Sequence, residues 1–197
     1  MKLIENEIRR ISEEVLVLHE IAKKAVELCF KSHKNDRTLV REISALEERS
    51  DELEARIHDE CSHFIIRFQP MAKDMRFALG MIRISSAYER IVDLAQEISL
   101  YECELREKIF EAEKPLLEMF DVVKEGFSNI ENLKDRMISL DDKVDDLYIQ
   151  LLEDIEKNFR CVEEVLAVRH VERIGDLLCK IATRLVYVQE GKWTWIK

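Results

Sequence analysis

The sequence predicts an all-α protein built as two tandem three-helix bundles from six long helices. Residues that break helices are rare, since the 197 residues include only four Gly and two Pro. Apolar residues recur at spacings of three and four along most of the chain, which is the period of an amphipathic helix. A short segment also occurs twice, because the Glu-Arg-Ile-Val-Asp of residues 89–93 returns as Glu-Arg-Ile-Gly-Asp at residues 172–176. This repeat indicates a duplicated unit.

The first unit contains three apolar stripes of helical period. The first stripe covers residues 4–29 and ends near the polar turn at residues 34–36. The second covers residues 39–68 and stops at Gln69-Pro70, where the proline is expected to open the next helix. The third covers residues 77–98. Long helices joined by short turns predict antiparallel neighbours.

The second unit repeats this organisation. Pro115 is expected to open a fourth helix that continues to residue 130. A fifth helix is predicted over residues 137–151 and a sixth over residues 171–188. We place the boundary near residue 108, so that residues 1–108 and 109–197 form one unit each. No linker rich in Pro, Gly or Ser separates the units, and we therefore expect them to pack against each other.

Charge and hydropathy narrow the classes of function. The net charge of −10 disfavours a general nucleic-acid binder, which needs a basic face. Residues 1–14 mix acidic and basic side chains without an apolar core, so we expect no signal peptide. No stretch approaches the roughly 18 consecutive apolar residues of a transmembrane helix. Near the C-terminus, Trp193 and Trp195 form an aromatic tail that we expect to pack on the bundle.

The cysteines favour a reduced protein. The chain has five of them, an odd number, and no Cys-x-x-Cys motif, so a disulfide framework or a zinc knuckle is not expected. Buried and unreactive thiols are the simplest interpretation. A reducing compartment follows from this interpretation, and the predicted location is therefore cytoplasmic.

Four pairs of carboxylates share the spacing Glu/Asp-x-x-x-Asp, which places both members of a pair on one helical face. A chain with 41 carboxylates in 197 residues contains roughly eight acidic pairs at this spacing by chance, so a single pair carries little information. These four pairs come two per unit, in matching order, and lie in register with apolar stripes. The pairs are Glu47/Asp51, Glu89/Asp93, Asp141/Asp145 and Glu172/Asp176.

Carboxylates beside an apolar face are costly unless they are paired with a cation or bound to a metal. Two helices that each offer two carboxylates could form an oxygen-rich site for Mg, Mn, Ca or iron. Arg90 and Arg173 lie within the repeated segments and offer the alternative, which is internal salt bridges without a metal. On the residues alone, both interpretations stay open.

An enzyme is the weaker hypothesis. A di-iron site of the ferritin type needs two Glu-x-x-His motifs on separate helices, and only Glu60-x-x-His63 is present. His58 lies one turn after Glu54 and could approach the first carboxylate set, although a helix-surface histidine is the favoured interpretation. No convergent base and nucleophile accompany the carboxylates, which disfavours a metal-dependent phosphohydrolase. A metal-free helical scaffold is the third hypothesis.

These features together resemble the PhoU family of phosphate-uptake regulators. The resemblance rests on the tandem units, the repeated Glu-Arg-Ile-x-Asp and the sequence Gln-Pro-Met-Ala-Lys-Asp-Met-Arg at residues 69–76, the tip of the first hairpin. It covers essentially the whole chain. PhoU-like proteins consist of two symmetric three-helix bundles that bind metal clusters of iron, zinc or another metal. The ligand sets implied here are Glu47, Asp51, Glu89 and Asp93 for one cluster and Asp141, Asp145, Glu172 and Asp176 for the other.

The resemblance also implies a role. PhoU-like proteins are non-enzymatic cytoplasmic regulators, homodimeric by family habit, which contact the ATPase of the phosphate ABC transporter and the phosphate-sensing histidine kinase. They act as negative regulators of phosphate uptake and of the phosphate-starvation response, and they reach the membrane only through these partners. An accessory role for another phosphate transporter is the alternative.

The second hairpin departs from the family pattern. Only 27 positions separate Asp145 from Glu172, whereas 38 separate Asp51 from Glu89. The second hairpin therefore lacks the usual tip. This puts any partner contact made at that tip in doubt, while the second carboxylate set is complete.

Overall fold

The protein is all-α in a computed structural model that describes residues 2–34, 36–192, 194 and 196. Within these residues there are six α-helices, two short 3-10 helices and no strand. The prediction of an all-α fold with six helices is confirmed. The helices are α1 Lys2–Lys34, α2 Val40–Phe68, α3 Lys73–Leu100, α4 Glu113–Gly126, α5 Leu133–Lys157 and α6 Val162–Glu190, and the 3-10 helices are Arg37–Leu39 and Glu107–Ala112.

The turn between α2 and α3 is made by residues with left-handed backbone. Gln69 ends α2 at φ 43° and ψ 53°, and its N–H donates to the Ile65 carbonyl at 3.0 Å. Ala72 also has positive φ, at 48°, just before α3 begins. Pro70 therefore lies buried in the connecting turn. The sequence had predicted a place for it in the first turn of α3, and that prediction was wrong.

Helix α4 is shorter than predicted. It ends at Gly126, whereas the apolar stripe continues to Ile130. A turn replaces the expected last helical turn, because the Asn129 side chain accepts a hydrogen bond from the Glu131 N–H at 2.8 Å. Apolar spacing persists through this turn because Phe127 and Ile130 still pack against the core.

One continuous apolar core joins the two units. Helices α1, α2 and α3 pack together, as do α4, α5 and α6, and the units meet where α3 packs on α6 and α1 on α4. The α3–α6 contact is close at Gly80, where an added Cβ would overlap Val188 Cγ2. Because Gly80 contacts Val188 and Glu97 contacts His170, α3 and α6 run antiparallel.

A disulfide between Cys103 and Cys161 contradicts the expectation of a fully reduced protein. Cys103 lies in the connection between the units and Cys161 immediately precedes α6, so only the tertiary fold brings them together across 58 positions. The other three cysteines, Cys29, Cys61 and Cys179, are buried thiols, as predicted. Burial raises the pKa of the Cys61 thiol to about 12, which makes it a poor nucleophile.

None of the described helices combines the length and apolar character needed to cross a membrane. Trp193 and Trp195, for which packing on the bundle was expected, lie outside the described residues. Between and after them, Thr194 is half-buried and Ile196 is buried. The Ile196 N–H donates to Thr183 Oγ1 on α6 at 3.2 Å, so this part of the chain contacts the bundle.

Candidate metal centre

Helices α2 and α3 bring three of the four carboxylates of the first set together, and Glu89 lies outside this close group. The two helices form an antiparallel hairpin, with Glu47 and Asp51 one turn apart on α2 and Glu89 and Asp93 one turn apart on α3. Carboxylate oxygens of Glu47, Asp51 and Asp93 all lie within 4.8 Å of one another. Three residues that are distant in sequence thus present oxygen atoms at the separation found within a metal-coordination sphere.

Glu89 is the most perturbed member of this set. Its pKa is raised to about 7, first by burial and then by the negative charges of Asp93, Glu54 and Asp51. The pKa of Asp51 is raised as well, by burial and then by Asp93 and Glu54. Burial and then Asp51 and Asp93 raise the pKa of Glu47. The site therefore concentrates negative charge that a proton or a cation would relieve.

Few positive or donor groups compensate this charge. Arg90 Nη1 lies 2.9 Å from Asp93 Oδ2 and 3.7 Å from Glu97 Oε1. Gln96 Nε2 donates a long hydrogen bond of 3.4 Å to Glu47 Oε2. The salt bridge that was the alternative to a metal thus exists for Asp93. The single guanidinium of Arg90 nevertheless lies beside several carboxylates, those of Glu47, Asp51, Glu89 and Asp93.

Glu54 and His58 extend the site in a way that the pair spacing did not indicate. The charge of Glu54 raises the pKa of Glu89, so the two carboxylates face each other across the hairpin. His58 Nε2 lies 3.6 Å from Glu54 Oε1, 3.1 Å from the Ile82 carbonyl and 3.2 Å from Ser86 Oγ. His58 therefore links α2 to α3 beside the carboxylates. The turn spacing of Glu54 and His58 was the available sequence signal.

The second set is built on α5 and α6 and is less compact. Asp141 is buried, and its Oδ1 would lie 3.5 Å from a Cβ added at Gly175, so this carboxylate lies against the backbone of the repeated segment. Burial, followed by the charges of Asp176 and, more weakly, Asp145, raises the pKa of Glu172. These residues are neighbours, but over the described residues no triplet of their oxygens is as close as in the first set.

The two sets also differ in which carboxylate an arginine holds. Arg169 Nη1 lies 2.7 Å from Glu172 Oε2 and holds that carboxylate. The repeats are offset by 83 positions, so the residue of the first unit that corresponds to Arg169 is Ser86. Serine carries no charge, and Glu89, the counterpart of Glu172, consequently has no such partner from the preceding helical turn.

A second group of possible ligand atoms was not predicted. Cys103, Cys161 and Glu163 lie within the distance of a metal site, but the two sulfurs form the disulfide and offer no thiolate. Glu163 Oε2 accepts hydrogen bonds from the N–H groups of Glu102 at 3.0 Å and Cys103 at 2.7 Å. This group therefore holds the connection between the units in place.

Three further histidines, the buried His19 and the half-buried His33 and His170, serve the fold. His19 Nδ1 lies 2.9 Å from the Tyr88 hydroxyl, and burial lowers the pKa of His19 to about 4. His33 Nε2 donates to the Ile98 carbonyl at 2.7 Å, and His170 Nε2 lies 3.4 Å from Glu97 Oε2. None of these three histidines belongs to a ligand set predicted from the sequence, and these contacts assign all three to the fold.

Comparison with known proteins identifies the family. A family model described as the PhoU domain matches residues 15–101 and 111–185. The chain is 50% identical over 196 residues to the phosphate-specific transport system accessory protein PhoU homolog of Archaeoglobus fulgidus, with all of both chains covered.

Solved structures agree with this fold. The phosphate transport system regulatory protein PhoU from Streptococcus pneumoniae superposes with a TM-score of 0.82 at 19% identity, covering 97% of this chain and 99% of that one. PhoU from Pseudomonas aeruginosa superposes with a TM-score of 0.84 at 21% identity, covering 95% and 99%. The family model and the full-length relative, together with the duplicated carboxylate pairs, establish that the chain belongs to the PhoU family.

Proposed function

We propose that this protein is a non-enzymatic, metal-binding regulatory adapter of phosphate transport. It restrains phosphate uptake and the phosphate-starvation response when phosphate is plentiful. The relatives support the link to phosphate, since one is named as an accessory protein of a phosphate-specific transport system and another as a regulatory protein of phosphate transport. The observation that carries the metal part of the proposal is the cluster of Glu47, Asp51 and Asp93 oxygens within 4.8 Å.

The chemistry of the first set fits a metal ion. All its donors are carboxylate oxygens, which suit Mg, Mn, Ca and iron, and zinc also accepts them. The raised pKa values of Glu47, Asp51 and Glu89 indicate that these groups lack sufficient positive charge nearby. A bound iron or zinc cluster would supply that charge and hold α2 to α3 through Glu47, Asp51, Glu89 and Asp93.

The second set fits the same role. Asp141, Asp145, Glu172 and Asp176 are the proposed ligands, and Glu172 is held by Arg169 at 2.7 Å, as Asp93 of the first set is held by Arg90 at 2.9 Å. Metal binding competes with one ion pair at each site. We expect the second site to bind metal more weakly than the first, because its described carboxylates include no triplet of oxygens within 4.8 Å.

The proposed partners are the ATPase of a phosphate ABC transporter and a phosphate-sensing histidine kinase, with a homodimer as the working assembly. We place the protein in the cytoplasm, at the membrane only through these partners; membership of the PhoU family supports this location, whereas the cysteines no longer do, since Cys103 and Cys161 form a disulfide. No described helix could itself span a membrane.

The adapter role is preferred to hydrolysis. His58, the histidine beside the first set, lies 3.1 Å from the Ile82 carbonyl and so is engaged in the α2–α3 contact, which leaves no free histidine there, among the described residues, to act as a base.

Metal content measured by mass spectrometry tests this proposal. Wild-type protein purified without chelator is compared with the Asp93→Asn/Asp176→Asn variant, and each is then tested for binding to the transporter ATPase. The matched control is Glu48→Gln/Glu52→Gln, which neutralises two carboxylates of the same spacing on the exposed side of α2.

We expect wild type and the control to retain metal and bind the ATPase, and the Asp93/Asp176 variant to lose both. Equal metal content in all three proteins would overturn the metal site. If the Asp93/Asp176 variant loses metal but binds the ATPase fully, the adapter role does not depend on the metal. Phosphatase activity that disappears only in the Asp93/Asp176 variant would replace the adapter with an enzyme.

A further inference from the structure

A groove with cationic walls lies between α3 and α6, where the two units meet. It has a volume of about 440 Å³. Arg83 and Arg90 on α3 and Lys180 and Arg184 on α6 line it, and aliphatic side chains such as Leu177 form part of its surface. Four cationic residues in one groove are unexpected in a chain of net charge −10.

The positive charge of the groove is only partly neutralised. Arg90 is paired with Asp93 at 2.9 Å. Arg83 and Lys180 are exposed, and in the part of the chain that the structure describes neither forms an ion pair with a carboxylate. Burial and then the charge of Arg83 lower the pKa of Arg184, so guanidinium groups on opposite walls repel each other. An anion between the walls would relieve this repulsion.

The internal repeat offers a comparison within the same molecule. With the offset of 83 positions, the counterparts of Lys180 and Arg184 are Glu97 and Tyr101, and the counterpart of Arg83 is Leu166. Glu97 lies against His170 in the symmetry-related part of the α3–α6 contact. Of the four cations only Arg90 has a cationic counterpart, Arg173, so the duplication does not account for Arg83, Lys180 and Arg184.

The geometry points to a binding site for the phosphate group of a small molecule in the groove between α3 and α6. Guanidinium and ammonium groups are the side chains that bind phosphate oxygens most strongly, and here they come from both walls. The groove is of the size that accommodates small-molecule ligands, and its aliphatic surface suits an organic portion of such a ligand. This site uses no carboxylate of the proposed metal sets.

Calorimetric titration with inorganic phosphate and with ATP tests this inference. The test variant is Arg83→Gln/Lys180→Gln, whose substituted residues are both exposed and leave the carboxylate sets unchanged. The control is Arg41→Gln/Lys134→Gln, which removes two exposed cations elsewhere and has the same net charge. Metal content is measured in all three proteins, so that a failure of the metal proposal is recognised separately.

We expect at least one probe to bind wild type and the control equally, with a dissociation constant at least about tenfold weaker in the Arg83/Lys180 variant. Tighter binding of ATP than of inorganic phosphate would assign the site to organic phosphates, and equal binding would assign it to free phosphate. No binding of either probe, or equal weakening in both variants, would overturn the inference.

Discussion

The Cys103–Cys161 disulfide should make a large contribution to stability. The bond ties the connection between the two units to the residue before α6, and the two cysteines are 58 positions apart. Cross-linking a chain over this distance removes conformational entropy from the unfolded state, which corresponds to about 4 kcal/mol at 25 °C. We therefore expect Cys103→Ala/Cys161→Ala to lower the free energy of unfolding by up to about 4 kcal/mol.

Denaturant unfolding followed by circular dichroism measures this change. Oxidised wild type, wild type in dithiothreitol and the double-alanine variant are compared at equal protein concentration. Reduced wild type should unfold close to the variant, and the variant should not respond to dithiothreitol. A larger dependence of the unfolding free energy on denaturant is expected without the bond, because the unfolded chain then exposes more surface.

Counting thiols in the unfolded protein provides an independent measurement. The three cysteines outside the disulfide, Cys29, Cys61 and Cys179, should react before reduction, and all five after it. Five reactive thiols in protein purified without reductant, or equal unfolding free energies for the oxidised and reduced forms, would refute the reasoning.

Three further predictions concern the core and the candidate site. Glu164→Gln should lower the free energy of unfolding by about 3–5 kcal/mol, because the Glu164 side chain is fully buried 2.7 Å from Arg106 and its neutralisation leaves the guanidinium without its carboxylate partner. An unchanged midpoint of thermal unfolding would contradict this. In metal-free protein, the raised pKa of Glu89 means that the folded state binds a proton at this carboxylate more tightly than the unfolded state does. The free energy of unfolding should therefore fall from about pH 4.5 to about pH 7 and stay constant above that. Glu89→Gln should flatten that pH profile, and an identical profile would exclude Glu89 as its origin. Gly80→Ala should destabilise by about 1–3 kcal/mol through overlap with Val188, and Val188→Ala in the same chain should restore part of the loss.

The helices could be predicted from the sequence because the signal is local. Apolar residues at spacings of three and four identify α1 to α6 without knowledge of their neighbours. The predicted ends of the helices were less accurate than their existence. Pro70 lies in a turn before α3, and α4 stops at Gly126 before its apolar stripe ends. A side chain that packs on the core from a turn has the same spacing signal as one on a helix, so periodicity alone cannot distinguish them.

The sequence predicts the carboxylate pairs, but it does not predict how the two sets differ. The repeated segments identify two of the four pairs, Glu89/Asp93 and Glu172/Asp176, because duplication is visible in the chain itself. Helix packing decides these differences. The packing of α2 on α3 brings three oxygens of the first set within 4.8 Å, and α6 carries Arg169, which holds Glu172 in the second set. Glu54 was missed because its proximity to Glu89 arises across the hairpin and not along one helix.

The sequence by itself determined the helical class and the pairs of carboxylates, because each is expressed within a few turns of chain, and it determined the duplication because the repeated residues are identical. The tertiary structure decided the rest: the Cys103–Cys161 bond, the near-neutral pKa of Glu89 and the cationic groove between α3 and α6. Each of these joins residues that are tens of positions apart. Electrostatic and covalent contacts of this kind depend on distance in space, and the packing of the core sets that distance.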